Sequence, residues 1–459
     1  MVQAAQFNTL WQPAFFANFF SDTMHRIYLH VLLNICIWVL PGTNPASATI
    51  GKNNAPRSPI SWGIIPALAF DADLGLKYGG IINIFDYGNY DIFPKYHQHL
   101  FIRLINTTGG TLQAQALLES DKIIPGVKII TEASYIKDTR FEFFGFNAAN
   151  AVFEASFRDA SHAAFISEHF YSLGRSLTRL RIDMQTHINN TSQRLLTGYT
   201  FQNFSLHPGS GDSLLLPDNQ LFNGSLFELY QQWGVIDRQE ASGGNIHLFS
   251  LGWVFDTRNE YCYCTDGIWA ETFFLYSPGA AGSFLNHVAT LRHHMSTSDD
   301  RFTFSYRLSS QQKLSGHKPF YMLPWIFDTS LTQDGPSGAF GLRGAYRNRI
   351  TGDGFLLSNI EGKMKVLHTN ILKNDIYASM AGFFDLVYIT QTYSFSTRDI
   401  PETARLQFFK EQSQKPHYTF GPGLYLVFNK NNIITINYGF SPQQQIGSGG
   451  LYIGSSLLF

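Results

Sequence analysis

The chain has 459 residues, of which 15% are aromatic and only 15% charged, and Lys+Arg 33 against Asp+Glu 34 leaves a net charge of −1. That balance offers neither a basic field for nucleic acid nor an acidic tail, and the residues are too apolar for a disordered chain. With 44% hydrophobic residues but a mean hydropathy of −0.09, the apolar residues are spread out and not gathered into membrane helices, as in a membrane β-barrel.

At the N-terminus, residues 27–40 form an apolar run too short for the ~20 residues that a spanning helix needs. The run follows Met24, His25 and Arg26 and leads into Pro41 and Gly42, then Ala46, Ser47 and Ala48. A short basic start, an apolar stretch and a small-x-small site make a secretory signal peptide. Residues 1–48 are therefore expected to be a mis-started signal peptide, with 1–23 the surplus prefix and cleavage after Ala48. Residues 49–60 form a short N-terminal segment, too short for a periplasmic domain, and 61–459 the barrel. Cys36 falls in the signal, and Cys262 and Cys264 read as an ordinary turn pair, since a metal needs more ligands.

Beyond the signal, apolar residues recur at every second position. In 179–188, Leu180, Ile182, Met184 and Ile188 oppose Arg179, Arg181, Asp183, Gln185 and His187. In 301–309, Phe302, Phe304, Tyr306 and Leu308 oppose Arg301, Thr303, Ser305, Arg307 and Ser309. Tyr418, Phe420, Leu424, Leu426 and Phe428 oppose Thr419, Gly421 and Gly423, and then Ile434, Ile436, Tyr438 and Phe440 oppose Thr435, Asn437 and Gly439. Successive strand side chains face opposite ways, so each segment has one apolar and one polar face. The segments run to about ten residues, the length a tilted strand needs to cross lipid. Full charges on the polar faces suit a wet lumen better than a sandwich core. Tyr377, Tyr388, Tyr425 and Tyr438 lie near segment ends, where interfacial girdles are expected.

Tight polar turns fall at 106–110, 189–191, 373–375 and 429–432, and longer polar stretches near 86–96, 139–170, 207–243, 327–353 and 389–416. The fold class is all-β, a transmembrane antiparallel β-barrel of about 16 strands. No second domain, linker or repeat is visible.

The sharpest motif is Gly341, Leu342, Arg343, Gly344, Ala345, Tyr346, Arg347, Asn348, Arg349, followed by Thr351, Gly352, Asp353 and Gly354. It resembles the Leu/Val-Arg-Gly-Phe/Tyr loop of the BamA/TamA-like outer-membrane proteins, the bacterial surface antigen superfamily. That resemblance implies a sixteen-stranded barrel whose sixth extracellular loop folds into the lumen, where its arginine meets an acidic strand residue. Gly382, Phe383, Phe384 and Asp385 resemble the family's aromatic-Asp strand, and alternation puts Asp385 inward if Phe384 meets lipid. Asp385 is thus the implied partner of Arg343. A buried arginine is costly unless a carboxylate meets it, ideally through two parallel hydrogen bonds. Two departures stand out: Ala345 takes the place of the aromatic, with Tyr346 one later, and Val387 stands where a glycine is common. Asp256, Thr257, Arg258 and Asn259 through Thr265, Asp266 and Gly267 resemble the family's Asp-Thr-Arg-Asp/Asn turn. The last strand, with Leu451, Ile453 and Leu457 on one face and a terminal Phe459, resembles the C-terminal signal by which such barrels are inserted.

Glu361, Lys363 and Lys365 read as lumen wall. His293 and His294 face opposite ways on a strand and cannot share a metal, and no Walker A, Gly-x-Ser-x-Gly or His-Glu-x-x-His pattern occurs. Neither an enzyme, a cofactor nor a metal is expected. The resemblance implies assembly or translocation of proteins at the outer membrane of a Gram-negative bacterium. Its partners would be membrane lipid, nascent outer-membrane proteins and a separate periplasmic protein, with no nucleic acid. The alternative is a channel or secretion pore plugged by its own loop.

Overall fold

A computed structural model describes residues 59–455 except 94, 190, 210–213, 216–220, 223, 262, 280–282, 331–332, 372–373 and 429–431. The expected signal peptide, residues 1–48, and the terminal residues Leu457 and Phe459 lie outside the described residues. The described residues form a closed antiparallel barrel of sixteen strands, each paired with its neighbours in the chain. First come β1 (Ile60–Asp71), β2 (Gly75–Asp86), β3 (Gln98–Thr107), β4 (Thr111–Ile124) and β5 (Val127–Glu142). There follow β6 (Ser172–His187), β7 (Gln193–Pro208), β8 (Gly243–Asp256), β9 (Gly267–Ser277) and β10 (Phe284–Ser296). The circuit ends with β11 (Phe302–Gly316), β12 (Gly354–Ile371), β13 (Asn374–Gln391), β14 (His417–Phe428), β15 (Asn432–Gly439) and β16 (Gly450–Gly454).

The polarity of this barrel is inverted relative to a water-soluble protein. Leu180, Phe302, Met380 and Phe420 are 44–58% exposed, and Arg179, Arg307, Asp385 and Thr419 on the same strands are at most 2% exposed. Outward apolar side chains suit a hydrocarbon surround, and closure of the sheet leaves no free edge there. Alternation read from the sequence thus gives the right face for each of these strands. It was misapplied to two tyrosines. Tyr377 and Tyr425 do not belong to an outer girdle; both are buried and point inward, packed around Tyr263. The reason is parity, since Tyr377 shares its face with Asp385 and Tyr425 with Thr419. Tyr438 does face outward.

The two ends of the barrel differ. Connections 143–171, 209–242, 317–353 and 392–416 emerge at one end, whereas turns such as 125–126, 188–192 and 297–301 close the other. The long connections were read as polar, yet they hold the largest apolar cluster of the described residues. Phe143, Phe146, Phe170, Phe227, Tyr230, Phe320, Tyr393 and Phe408 pack together in it. Two short helices serve this cluster: α1 (Leu226–Gln232), capped by the Ser225 hydroxyl accepting from Glu228 N at 3.2 Å, and α2 (Glu402–Phe408). Aromatic rings spaced irregularly along loops carry no period, so patterning misses them.

Candidate functional site

Neighbouring strands β11, β12 and β13 present Arg307, Asn359, Glu361 and Asp385 on the inward face, all at most 1% exposed. The 317–353 connection comes down onto this wall. At its base Lys318 donates to the Asp353 carbonyl at 2.8 Å, and burial, partly opposed by Asp353, lowers the Lys318 ammonium to about 8.

Arg343 lies on the wall with a two-point grip: Nε donates to Asp385 Oδ2 at 2.8 Å and Nη2 to Asp385 Oδ1 at 2.9 Å. Its backbone N also donates to Asp385 Oδ2, at 3.2 Å. A second carboxylate joins, Glu361 Oε2 accepting from Nη1 at 3.1 Å, and the guanidinium stacks 3.5 Å from the Phe383 ring centroid. Asn359 links wall and loop, donating to Asp385 Oδ1 at 2.7 Å and to the Gly341 carbonyl at 2.9 Å. Arg307 adds a bond from Nη2 to the Phe340 carbonyl at 2.6 Å. Fork geometry and stacking are properties of a guanidinium that an ammonium lacks.

Residue 344 has φ +96°, and a Cβ there would lie 2.7 Å from the Gly439 carbonyl carbon at the end of β15. Only glycine fits such a backbone at such a distance. Gly344 N donates to the Tyr452 hydroxyl on β16 at 3.0 Å, and Gly344 O accepts from Gly449 N at 3.1 Å. Leu342 is buried among Ala345, Ile350, Phe355, Val387 and Ile446. Tyr346 packs on Phe144 and Phe153, and its N donates to the Ile446 carbonyl at 2.8 Å. The ring thus joins the aromatic cluster although it stands one position later than the family motif places it.

Arg347 and Arg349 were not singled out from the sequence, nor was Glu361 as a partner. Arg347 Nη2 meets Asp334 Oδ2 at 2.5 Å and its N meets Asp73 Oδ1, in the β1–β2 turn, at 3.2 Å. Arg349 donates to the carbonyls of Gln445, Ala148 and Ala151. The available signal was three arginines at spacings of four and two within one Gly-containing stretch. Glu361 was read as wall alone; it stands across from Ser305 and Phe383 in the ladder, one strand from Asp385, which only pairing reveals.

On the far side of the motif is the seam between first and last strands. Among the described residues β1 and β16 pair at Phe70↔Ile453 and Asp71↔Tyr452. A small cleft lies between Arg343 and this seam, bordered by Asp71, Lys77, Asn437 and Tyr452. No group of three or more His, Cys, Asp or Glu among the described residues could hold a metal.

No protein-family model matches the sequence, and no curated protein does. Solved structures do match the fold. BamA from Haemophilus ducreyi lacking POTRA domains 1–3 aligns over 92% of this chain and 77% of its own, at 12% identity and TM-score 0.47. CdiB from Escherichia coli aligns over 89% and 66% at 9% identity and TM-score 0.51, and CdiB from Acinetobacter baumannii over 86% and 65% at 10% and 0.44. The chain is thus similar in fold to CdiB from Escherichia coli, and its described residues form a closed antiparallel β-barrel.

Proposed function

We propose that this barrel serves the assembly or translocation of outer-membrane proteins in a Gram-negative bacterium, with the first–last strand seam as the working edge. The observation that carries this reading is the uneven grip of the 317–353 connection. It is fixed to β12 and β13 through the forked and stacked Arg343 guanidinium, whereas among the described residues its hydrogen bonds to β16 and to the residue leading into it run through the Tyr452 hydroxyl and Gly449 N alone. Parting β1 from β16 would expose backbone donors and acceptors that lipid cannot satisfy. An incoming strand can satisfy them by adding to the edge, so the seam would template a nascent outer-membrane protein. The loop motif of Leu342, Arg343, Gly344 and Tyr346 would hold the rest of the wall in place meanwhile. Leu457 and Phe459 are proposed to act in insertion of this chain itself. Its partners are membrane lipid, nascent outer-membrane proteins and a separate periplasmic protein that delivers them, and the chain is read as non-enzymatic.

A second reading is a channel or secretion pore plugged by its own loop, favoured by the loop's place against the inner wall. The two separate in one experiment on the protein in liposomes. Folding of a test barrel into the vesicles is timed with and without the protein, and ion conductance is recorded on the same preparation. Assembly predicts faster folding that is lost in Arg343→Ala, with the variant's own fold checked by heat-modifiable gel mobility. Conductance with no acceleration would replace the assembly reading with the pore reading.

A further inference from the structure

The Asp256–Gly267 motif takes no part in the loop site, and its geometry is unusual for a strand connection. Arg258 Nε and Nη2 grip Asp256 at 3.0 and 3.1 Å, and its guanidinium lies 3.8 Å from the Trp269 ring. Asn259 Oδ1 accepts from the backbone N of Thr265 and Asp266 at 3.2 and 3.3 Å, and Thr257 N donates to the Ile268 carbonyl at 2.8 Å. Gly267 has φ +115°, and a Cβ there would lie 2.6 Å from the Thr257 carbonyl oxygen. The two arms are therefore clamped together and the tip is pushed out beyond them. The tip goes inward. Tyr263 is 1% exposed, its hydroxyl donating to Ser379 Oγ on β13 at 3.2 Å and its ring 5.4 Å from Tyr377. Tyr261 points the other way, its ring 5.1 Å from Tyr96 in the β2–β3 turn and 4.9 Å from Lys128 Nζ on β5. Lys128 and Tyr96 both meet Glu119 on β4, at 2.8 and 3.3 Å.

In the circuit of sixteen strands, β5 and β13 lie eight steps apart, on opposite walls. Strand spacing and tilt make such a barrel about 30 Å wide, more than one wall side chain can cross. We propose that the β8–β9 connection is a built-in closure of the short-turn mouth. Arg258 and Asn259 project its tip across the opening, and Tyr261 and Tyr263 dock on facing walls. A lumen lined by charged side chains is wet and would otherwise open directly at this end; two edge-on aromatic contacts replace that opening with a barrier. This closure is distinct from the loop site, which approaches from the other end, and it stands whether the barrel assembles proteins or conducts solutes.

The test is the rate at which a thiol inside the barrel meets a membrane-impermeant charged maleimide. Asn437→Cys places that thiol on the cleft wall, in the full chain carrying Cys36→Ser, Cys262→Ser and Cys264→Ser and reconstituted in liposomes. Adding Tyr261→Ala with Tyr263→Ala is expected to speed labelling at least about tenfold, the rate of such a reaction tracking the population of the open state. Tyr261→Phe with Tyr263→Phe keeps both rings and should label at the parent's slow rate. A folded alanine variant that labels no faster than its parent overturns the proposal, as does a parent that labels as fast as an exposed Lys122→Cys control. If the alanine pair fails to fold, Tyr96→Ala removes the ring contact from the opposite turn and is expected to show the same acceleration, with no acceleration overturning the proposal.

Discussion

The wall of β12 and β13 and the seam of β1 and β16 receive the same loop on very different terms. The wall strands are 18 residues each and pair along their length, from Gly354↔Gln391 to Ile371↔Asn374. They offer the loop two carboxylates and an aromatic face that converge on Arg343, and an amide that ties Asp385 to the Gly341 carbonyl. At the seam, β16 spans five residues, and among the described residues it meets β1 at two positions. It offers the loop one hydroxyl, and the close backbone approach at Gly344 comes from Gly439 at the end of β15. A single segment thus joins the most securely paired part of the barrel to the least. The lesson is that loop anchoring and seam opening are separable: a change at Arg343 should reach the whole wall, and a change at Gly344 the seam alone.

The largest effect should come from breaking the wall contact. Asp385→Ala leaves the Arg343 guanidinium buried with Glu361 alone, and loss of one member of a buried ion pair costs about 3–5 kcal/mol. Urea unfolding in liposomes should show a clearly lowered midpoint, with Asp385→Asn losing less because an acceptor remains. Equal losses in the two variants would mean that the carboxylate charge, and not the remaining acceptor, is what holds the loop. Gly344→Ala comes next. It forces a side chain into a left-handed backbone against Gly439, a strain of roughly 1–3 kcal/mol. Hydrogen exchange should quicken in 440–455 and stay unchanged in 354–391; exchange that quickens in both segments would erase the distinction between wall and seam. Tyr452→Phe is the mildest, leaving the Gly344 amide without its acceptor at a cost of about 1 kcal/mol. Its readout is the exchange rate of the Gly344 amide, with the global midpoint lowered least of the three.

Much of this architecture is written in the chain. Period two decides which face of each strand meets lipid, because a strand has two sides and an apolar surround accepts one of them. The Arg343, Gly344 and Asp385 positions stand out through the resemblance of their stretches to family motifs, and the chemistry agrees: a buried arginine needs a carboxylate, and a left-handed approach needs glycine. What only the tertiary structure decided is where distant strands put side chains beside one another. Glu361 became a partner of Arg343 because β12 and β13 pair in one register. Tyr377 and Tyr425 turned inward because their parity follows Asp385 and Thr419, and Tyr263 reaches them across the mouth. The apolar cluster over the long-loop end joins residues from 136 to 409 with no spacing in common. Patterning reads one strand at a time, whereas closing the barrel creates an interior, and contacts across an interior are set by the geometry of the circuit.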